Sequence, residues 1–162
     1  MAGDGAGRRP PVFSAYCTSP LPPVLSLPHQ NPPLACPELH GQLAFHYLDC
    51  LSQASYLIGD PGTGRAVVVD PKRDVADYLD SAARHGLTIE MVIETHFHAD
   101  FLSGHLELAD ATGAVIAYGD KGDAEFPHRK LADGERISLG EVTLEIRHTP
   151  GHTPESISVV IW

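Results

Sequence analysis

An apolar run, LTIEMVIET over residues 87–95, breaks directly into HFHADF over residues 96–101. A short run of this kind, bounded by a polar cluster, reads as a buried strand. Its end delivers three polar side chains, His96, His98 and Asp100, alternating with Phe97 and Ala99. Residues two apart in an extended stretch point to the same side, so the three converge on one patch. That patch falls in a connection from strand to helix, where ligands and catalytic groups of α/β architectures gather. Without a cation such a cluster leaves imidazoles and a carboxylate poorly paired, which favours metal binding over structural packing.

A metal needs a further ligand from elsewhere in the chain, and TPGHTPES over residues 149–156 supplies the best candidate. His152 follows Pro150-Gly151 in a tight turn between two strands, a rigid loop that presents its imidazole to a neighbouring loop. His148 belongs to the preceding strand and is read as a partly buried strand histidine. His29, His40, His46, His85 and His128 are read as ordinary core or surface histidines. Asp100 has a second reading, as the N-cap of the helix that follows.

The rest of the chain after Leu43 supports a mixed α+β domain. LAFHYL (43–48), ASYLIG (54–59) and AVVVD (66–70), with DPGTG as a turn, predict an antiparallel meander. Asp74 is placed to cap a helix from Val75 to His85, with Val75, Leu79 and Ala82 or Ala83 as its apolar stripe and Gly86 as its stop. Ser103 to Thr112 reads as a second helix, with Leu106, Leu108 and Ala109 facing in and Gly113 ending it. Strands are expected over 114–119, 135–139, 141–149 and 156–162.

Residues 1–40 are of another kind. They hold nine of the fourteen prolines and no periodic apolar pattern, so a disordered leader is expected there. Arg8-Arg9 is followed by prolines rather than an apolar stretch, which argues against a secretory or twin-arginine signal. The three cysteines, Cys17, Cys36 and Cys50, form no CxxC pair and suit free thiols in a reducing, cytoplasmic setting. Cys50 reads as a half-buried structural thiol. With 21 acidic residues against 11 basic, a net charge of −10, a nucleic-acid partner is disfavoured. No apolar run approaches a bilayer span, so no membrane segment is expected.

THFHAD followed at a distance by PGHT resembles the metallo-β-lactamase superfamily, whose fold is an αββα sandwich with a metal site at the strand ends. CLSQASYLIGD, VVVDPKRDV, IETHFHADFLSGHLELA, AEFPH and TPGHTPES more narrowly resemble its persulfide dioxygenases, including the branch often fused to rhodanese domains. The resemblance runs from Leu43 to Trp162. Binuclear zinc members such as hydroxyacylglutathione hydrolases read THxHxDH, and the final histidine helps hold a second metal. Phe101 stands there instead and has no lone pair to offer, so one metal per chain is the better reading.

The resemblance implies Fe(II), one per chain, with zinc as the alternative, held by His96, His152 and an aspartate from a later strand. His98 and Asp100 would orient ligands or relay protons, with His98 a direct ligand if the metal is zinc. The implied substrates are glutathione persulfide and O2, giving sulfite and thiol; a homodimer or a rhodanese domain is the implied partner. Asp110, Asp120, Asp123 and Asp133 precede His152 and do not match the family's aspartate. The expectation is therefore the N-terminal portion only of the sandwich, a domain over 43–162 incomplete at its C-terminus. Two other readings stay open: a zinc-dependent thioester hydrolase of the hydroxyacylglutathione hydrolase type, and a truncated metal-binding module without activity.

Overall fold

The computed structural model describes residues 41–48 and 51–162. The leader over 1–40, with its cysteines and histidines, and Cys50 lie outside the described residues.

Six strands form one sheet in the order of the chain: β1 (Gln42–Leu48), β2 (Gln53–Asp60), β3 (Arg65–Val69), β4 (Thr88–Ile93), β5 (Val115–Gly119) and β6 (Arg129–Leu131). A second sheet holds β7 (Arg136–Ser138), β8 (Thr143–His148) and β9 (Ile157–Ile161). The first three strands pair antiparallel, as the meander predicts, whereas β3 to β6 run parallel. Parallel neighbours need crossovers. Helix α1 (Ala76–His85) supplies one between β3 and β4, and α2 (His105–Thr112) supplies the next, to β5.

The strand sequences explain the layering. Along β3, Val67 and Val69 join the core between the two sheets, while Ala66 and Val68 join the core beneath the helices. Strand β4 does the same only because of a bulge. Ala66 pairs with Ile89 and Val67 with Met91, so Glu90 is skipped. Ile89 and Val92 therefore face the helices, and Met91 and Ile93 face the second sheet. Across from them, Leu144, Ile146, Ile157 and Val159 close the inner layer, each apolar side chain contributing roughly 1.5–3 kcal/mol on full burial. The described residues thus make three layers of an α+β sandwich: helices, six-stranded sheet, three-stranded sheet.

Three local expectations change. Strand β6, over Arg129–Leu131, was not anticipated, because three residues of which two are exposed leave no period to read. Leu106 is 50% exposed and Leu108 is fully buried, so the inward stripe of α2 is narrower than its apolar content suggests. Val75 is the boundary residue of α1 rather than Asp74, although the Asp74 carboxylate still accepts the Ala76 N–H at 3.2 Å. Tyr78 is completely buried under α1, its hydroxyl 2.6 Å from Ser55 Oγ and accepting the Lys72 N–H at 2.8 Å. Gly86 and Gly113 end the helices in the left-handed region, with φ of 65° and 75°.

One carboxylate fastens the two sheets together at the end away from the histidines. Asp60, at the end of β2, accepts the Gly62 N–H at 2.7 Å within its own turn. Across the sandwich it also accepts the Glu141 N–H at 2.5 Å from the turn between β7 and β8. Burial pushes the Asp60 carboxyl up, but the backbone donors of Gly62, Glu141, Val142 and Thr63 outweigh it and hold it below the usual range.

Candidate metal centre

The carboxyl ends of the parallel strands β3, β4 and β5 lie side by side, and the connections leaving β3 and β4 contribute to one site. Asp70 directly follows strand β3, its backbone held in the left-handed region at φ 50°. An aspartate tolerates that conformation better than most side chains, and the Asp70 N–H is fixed by the Ile93 carbonyl at 2.9 Å. Strand β4 ends at Ile93, two residues before the sequence pattern suggests, so Glu94 and Thr95 begin the connection that carries the histidines.

This short connection brings His96, His98 and His152 together. The ring centroids of His96 and His98 are 4.0 Å apart, and those of His96 and His152 are 4.9 Å apart, edge to face. The loop of residues 149–156 and the turn of residues 94–98 meet because the Ile157 N–H donates to the Thr95 carbonyl at 2.9 Å, joining the two sheets at this end.

Asp70 orders the first imidazole through Thr95. The Thr95 hydroxyl donates to Asp70 Oδ2 at 2.7 Å and lies 2.9 Å from His96 Nδ1. A hydroxyl has one proton; with that proton given to Asp70, Thr95 Oγ accepts from His96 Nδ1–H. The tautomer follows: His96 Nε2 keeps its lone pair, the form a metal ligand requires. Burial pushes the His96 imidazole down, and the neighbouring His98 and His152 add to this, against Asp70 and Asp100, so it is held below its ordinary value.

His98 is anchored from the opposite side. Its Nε2 is 3.0 Å from Asp70 Oδ1 and 3.4 Å from Glu94 Oε2, so this nitrogen carries the proton and Nδ1 is left to face outward. Asp100 Oδ1 is 3.9 Å from that Nδ1, on a side chain that is 71% exposed. Burial lowers the His98 imidazole, but the hydrogen bond and charge of Asp70, with Glu94 and Asp100, more than reverse this and hold it above its ordinary value. Asp100 does not cap α2, since Gly104 takes that position.

Beneath the histidines, Asp70, Glu94 and His98 bring donor atoms within 4.8 Å of one another, a spacing that can hold a cation. The His98 to Asp70 hydrogen bond also satisfies the group without one. Burial pushes the Glu94 carboxyl up, opposed by His105 and by the Ser103 hydroxyl, which donates to Oε1 at 2.5 Å. His105 Nδ1 is 3.4 Å from the same oxygen but off hydrogen-bonding geometry.

Sequence reasoning named His96, His98, Asp100 and His152, and the fold gathers all four into one region. It missed Asp70, Glu94, Thr95 and Glu155. Glu155 Oε1 accepts the Phe97 N–H at 2.8 Å. Burial raises its carboxyl, but that bond, Thr153 and the nearby His96 hold it below the usual range. His46 packs edge-on to Tyr78 at 4.7 Å, with its Nε2 buried without a hydrogen-bond partner, and His148 Nε2 lies 3.0 Å from the Leu131 carbonyl. Asp120 and Asp133 lie beside His148, at 3.7 Å from its Nδ1 and 2.8 Å from its backbone N–H respectively.

The donor set suits a metal: the rings of His96, His98 and His152 cluster, the first with its outward nitrogen unprotonated by the Asp70–Thr95 chain, and among the described residues the donor atoms of Asp70, Glu94 and His98 are the ones that converge within 4.8 Å. Comparison with known proteins agrees. Residues 48–161 match the metallo-beta-lactamase superfamily, and the chain belongs to that family of metalloenzymes. Among curated relatives, the hydroxyacylglutathione hydrolases of Hyphomonas neptunium and Methylococcus capsulatus are each 35% identical. The first alignment covers 68% of this chain and 44% of the relative; the second covers 66% and 41%. Among solved structures, a metallo-beta-lactamase from Staphylococcus aureus superposes with a TM-score of 0.71 at 40% identity, over 76% of this chain and 39% of that one. ETHE1 from Myxococcus xanthus superposes with a TM-score of 0.68 at 31% identity, over 74% and 53%. The chain spans under half the length of these curated relatives.

Proposed function

We propose that this chain carries the metal-binding half of a mononuclear non-haem iron persulfide dioxygenase, with His96 and His152 as two of the ligands. The observation that carries the reading is Phe101. Its ring packs 4.4 Å from that of His98, so an apolar ring occupies the position where binuclear relatives carry the histidine of a second metal. The likeness to ETHE1 fits this reading, as does the motif resemblance.

A bound Fe(II), which His96 and His152 would help hold, would supply redox chemistry, relaying electrons from the persulfide sulfur to O2. The chain supplies the rest. Asp70 and Thr95 hold the His96 proton on Nδ1, and His98 is fixed by Asp70 and Glu94 so that its outer edge faces Asp100. His98 and Asp100 then serve as the proton-handling pair at the mouth of the site. The overall change consumes persulfide, O2 and water and yields thiol and sulfite with two protons. Glutathione persulfide is the proposed substrate, a cytoplasmic setting the proposed location, and a homodimer or a rhodanese domain the proposed partner. Among the described residues no helix is long and apolar enough to cross a membrane.

A second reading rests on the curated relatives: hydrolysis of a hydroxyacylglutathione thioester with zinc in the same site, His98 then serving as a third ligand through Nδ1. Metal analysis of the purified chain, paired with O2 uptake on adding glutathione persulfide, separates the two. Iron with persulfide-dependent uptake supports the dioxygenase. Zinc with thioester hydrolysis and no uptake would overturn it in favour of the hydrolase.

A further inference from the structure

We infer that Glu155 is a positioning residue that clamps the loop carrying His152 to the turn carrying His96 and His98. The inference rests on the metal-centre reading above for its consequence, but the clamp itself is a property of the folded chain.

Glu155 is only 6% exposed, although it lies in a loop. A carboxylate withdrawn from water is costly unless donors meet it. The donor here is the Phe97 N–H, at 2.8 Å from Oε1. Phe97 lies between His96 and His98, so its peptide belongs to the unit that sets the angle between those two rings. Glu155 lies three residues after His152, in the same loop.

The loop backbone is pinned as well. A Cβ on Gly119, at the end of β5, would collide with the Glu155 carbonyl oxygen, so the loop lies directly on that strand end where no side chain fits. Two residues on, the Ile157 N–H donates to the Thr95 carbonyl. Two contacts that follow His152 in the chain, through Glu155 and Ile157, thus converge on residues 95–97, and the Glu155 carboxylate is the side chain that reaches the peptide between the histidines. The 4.9 Å approach of the His96 and His152 rings is what this clamp maintains.

A hydrogen-bond clamp needs an acceptor and not a charge, so Glu155→Gln and Glu155→Ala are expected to part company. The first measurement is amide hydrogen exchange on the full, metal-free chain. The Phe97 amide is protected in the wild type and in E155Q and exchanges faster in E155A, with the strand amides of β4 and β8 unchanged. The second is Co(II) affinity by chelator competition, with the visible Co(II) spectrum as a signature of ligand geometry. E155A is expected to bind about 10- to 100-fold more weakly, with an altered spectrum, and E155Q within about threefold of the wild type. Gly119→Ala, which displaces the loop while leaving the carboxylate in place, is expected to weaken Co(II) binding as well. An unprotected Phe97 amide in the wild type overturns the clamp, and so does E155A binding Co(II) as the wild type does. Equal loss in E155Q and E155A also overturns it, since the charge and not the hydrogen bond would then be what matters. A wild-type chain that binds no Co(II) counts against the metal-centre reading, and Phe97 exchange still decides the clamp.

Discussion

Asp70 serves three donors at once: the Thr95 N–H and hydroxyl and His98 Nε2, all within 3.0 Å. Replacing it with asparagine keeps a side chain suited to the left-handed backbone but turns one acceptor into a donor that faces another donor. Asp70→Asn is expected to cost about 1–3 kcal/mol of unfolding free energy, read as a lower urea midpoint at an unchanged slope. A shift under about 0.5 kcal/mol would mean that the triad is not formed in solution. Phe101 invites the opposite experiment. Phe101→His restores the donor of the binuclear pattern next to Asp100, so metal content measured by mass spectrometry is expected to rise from about one per chain towards about two. No rise would show that the second site lacks more than this one imidazole.

Among the elements, the turn between β2 and β3 depends on an ionised Asp60. Its carboxyl is held below its ordinary value in the folded chain, so ionised Asp60 stabilises the fold above the unfolded-state pKa of about 3.9. That contribution is lost as pH falls from there through the lower folded-state value. Urea midpoints measured from pH 6 to pH 3 are expected to decline more steeply for the wild type than for Asp60→Asn. Parallel slopes would remove Asp60 as a cause of acid lability. The same level shows what local pattern conveys. The periods of β2, β3, β4, β8 and β9 were legible because one face or both are apolar, and the glycine stops of α1 and α2 were legible because only glycine favours φ near 70°. The bulge at Glu90 was not, since nothing in TIEMV marks which residue drops out of register until β3 is beside it.

For the molecule as a whole, a ligand that binds the folded chain alone stabilises it by mass action. Saturating metal, at about 100 times its dissociation constant, is expected to add about 2.7 kcal/mol, seen as a higher melting temperature that excess chelator reverses. An unchanged melting temperature across Co(II), Zn(II) and Fe(II) would argue against a metal centre in the chain as it stands. From residues alone came the strand-end cluster of His96, His98 and Asp100, the looped His152 and the missing lone pair at Phe101, because each is written within a few neighbouring positions. Tertiary structure decided the rest. Asp70 lies 28 residues from His98, and Glu155 lies 58 residues from Phe97. Single carboxylates at such separations have no spacing to read; only the parallel order of β3, β4 and β5, and the packing of the second sheet on them, bring those charges to the histidines.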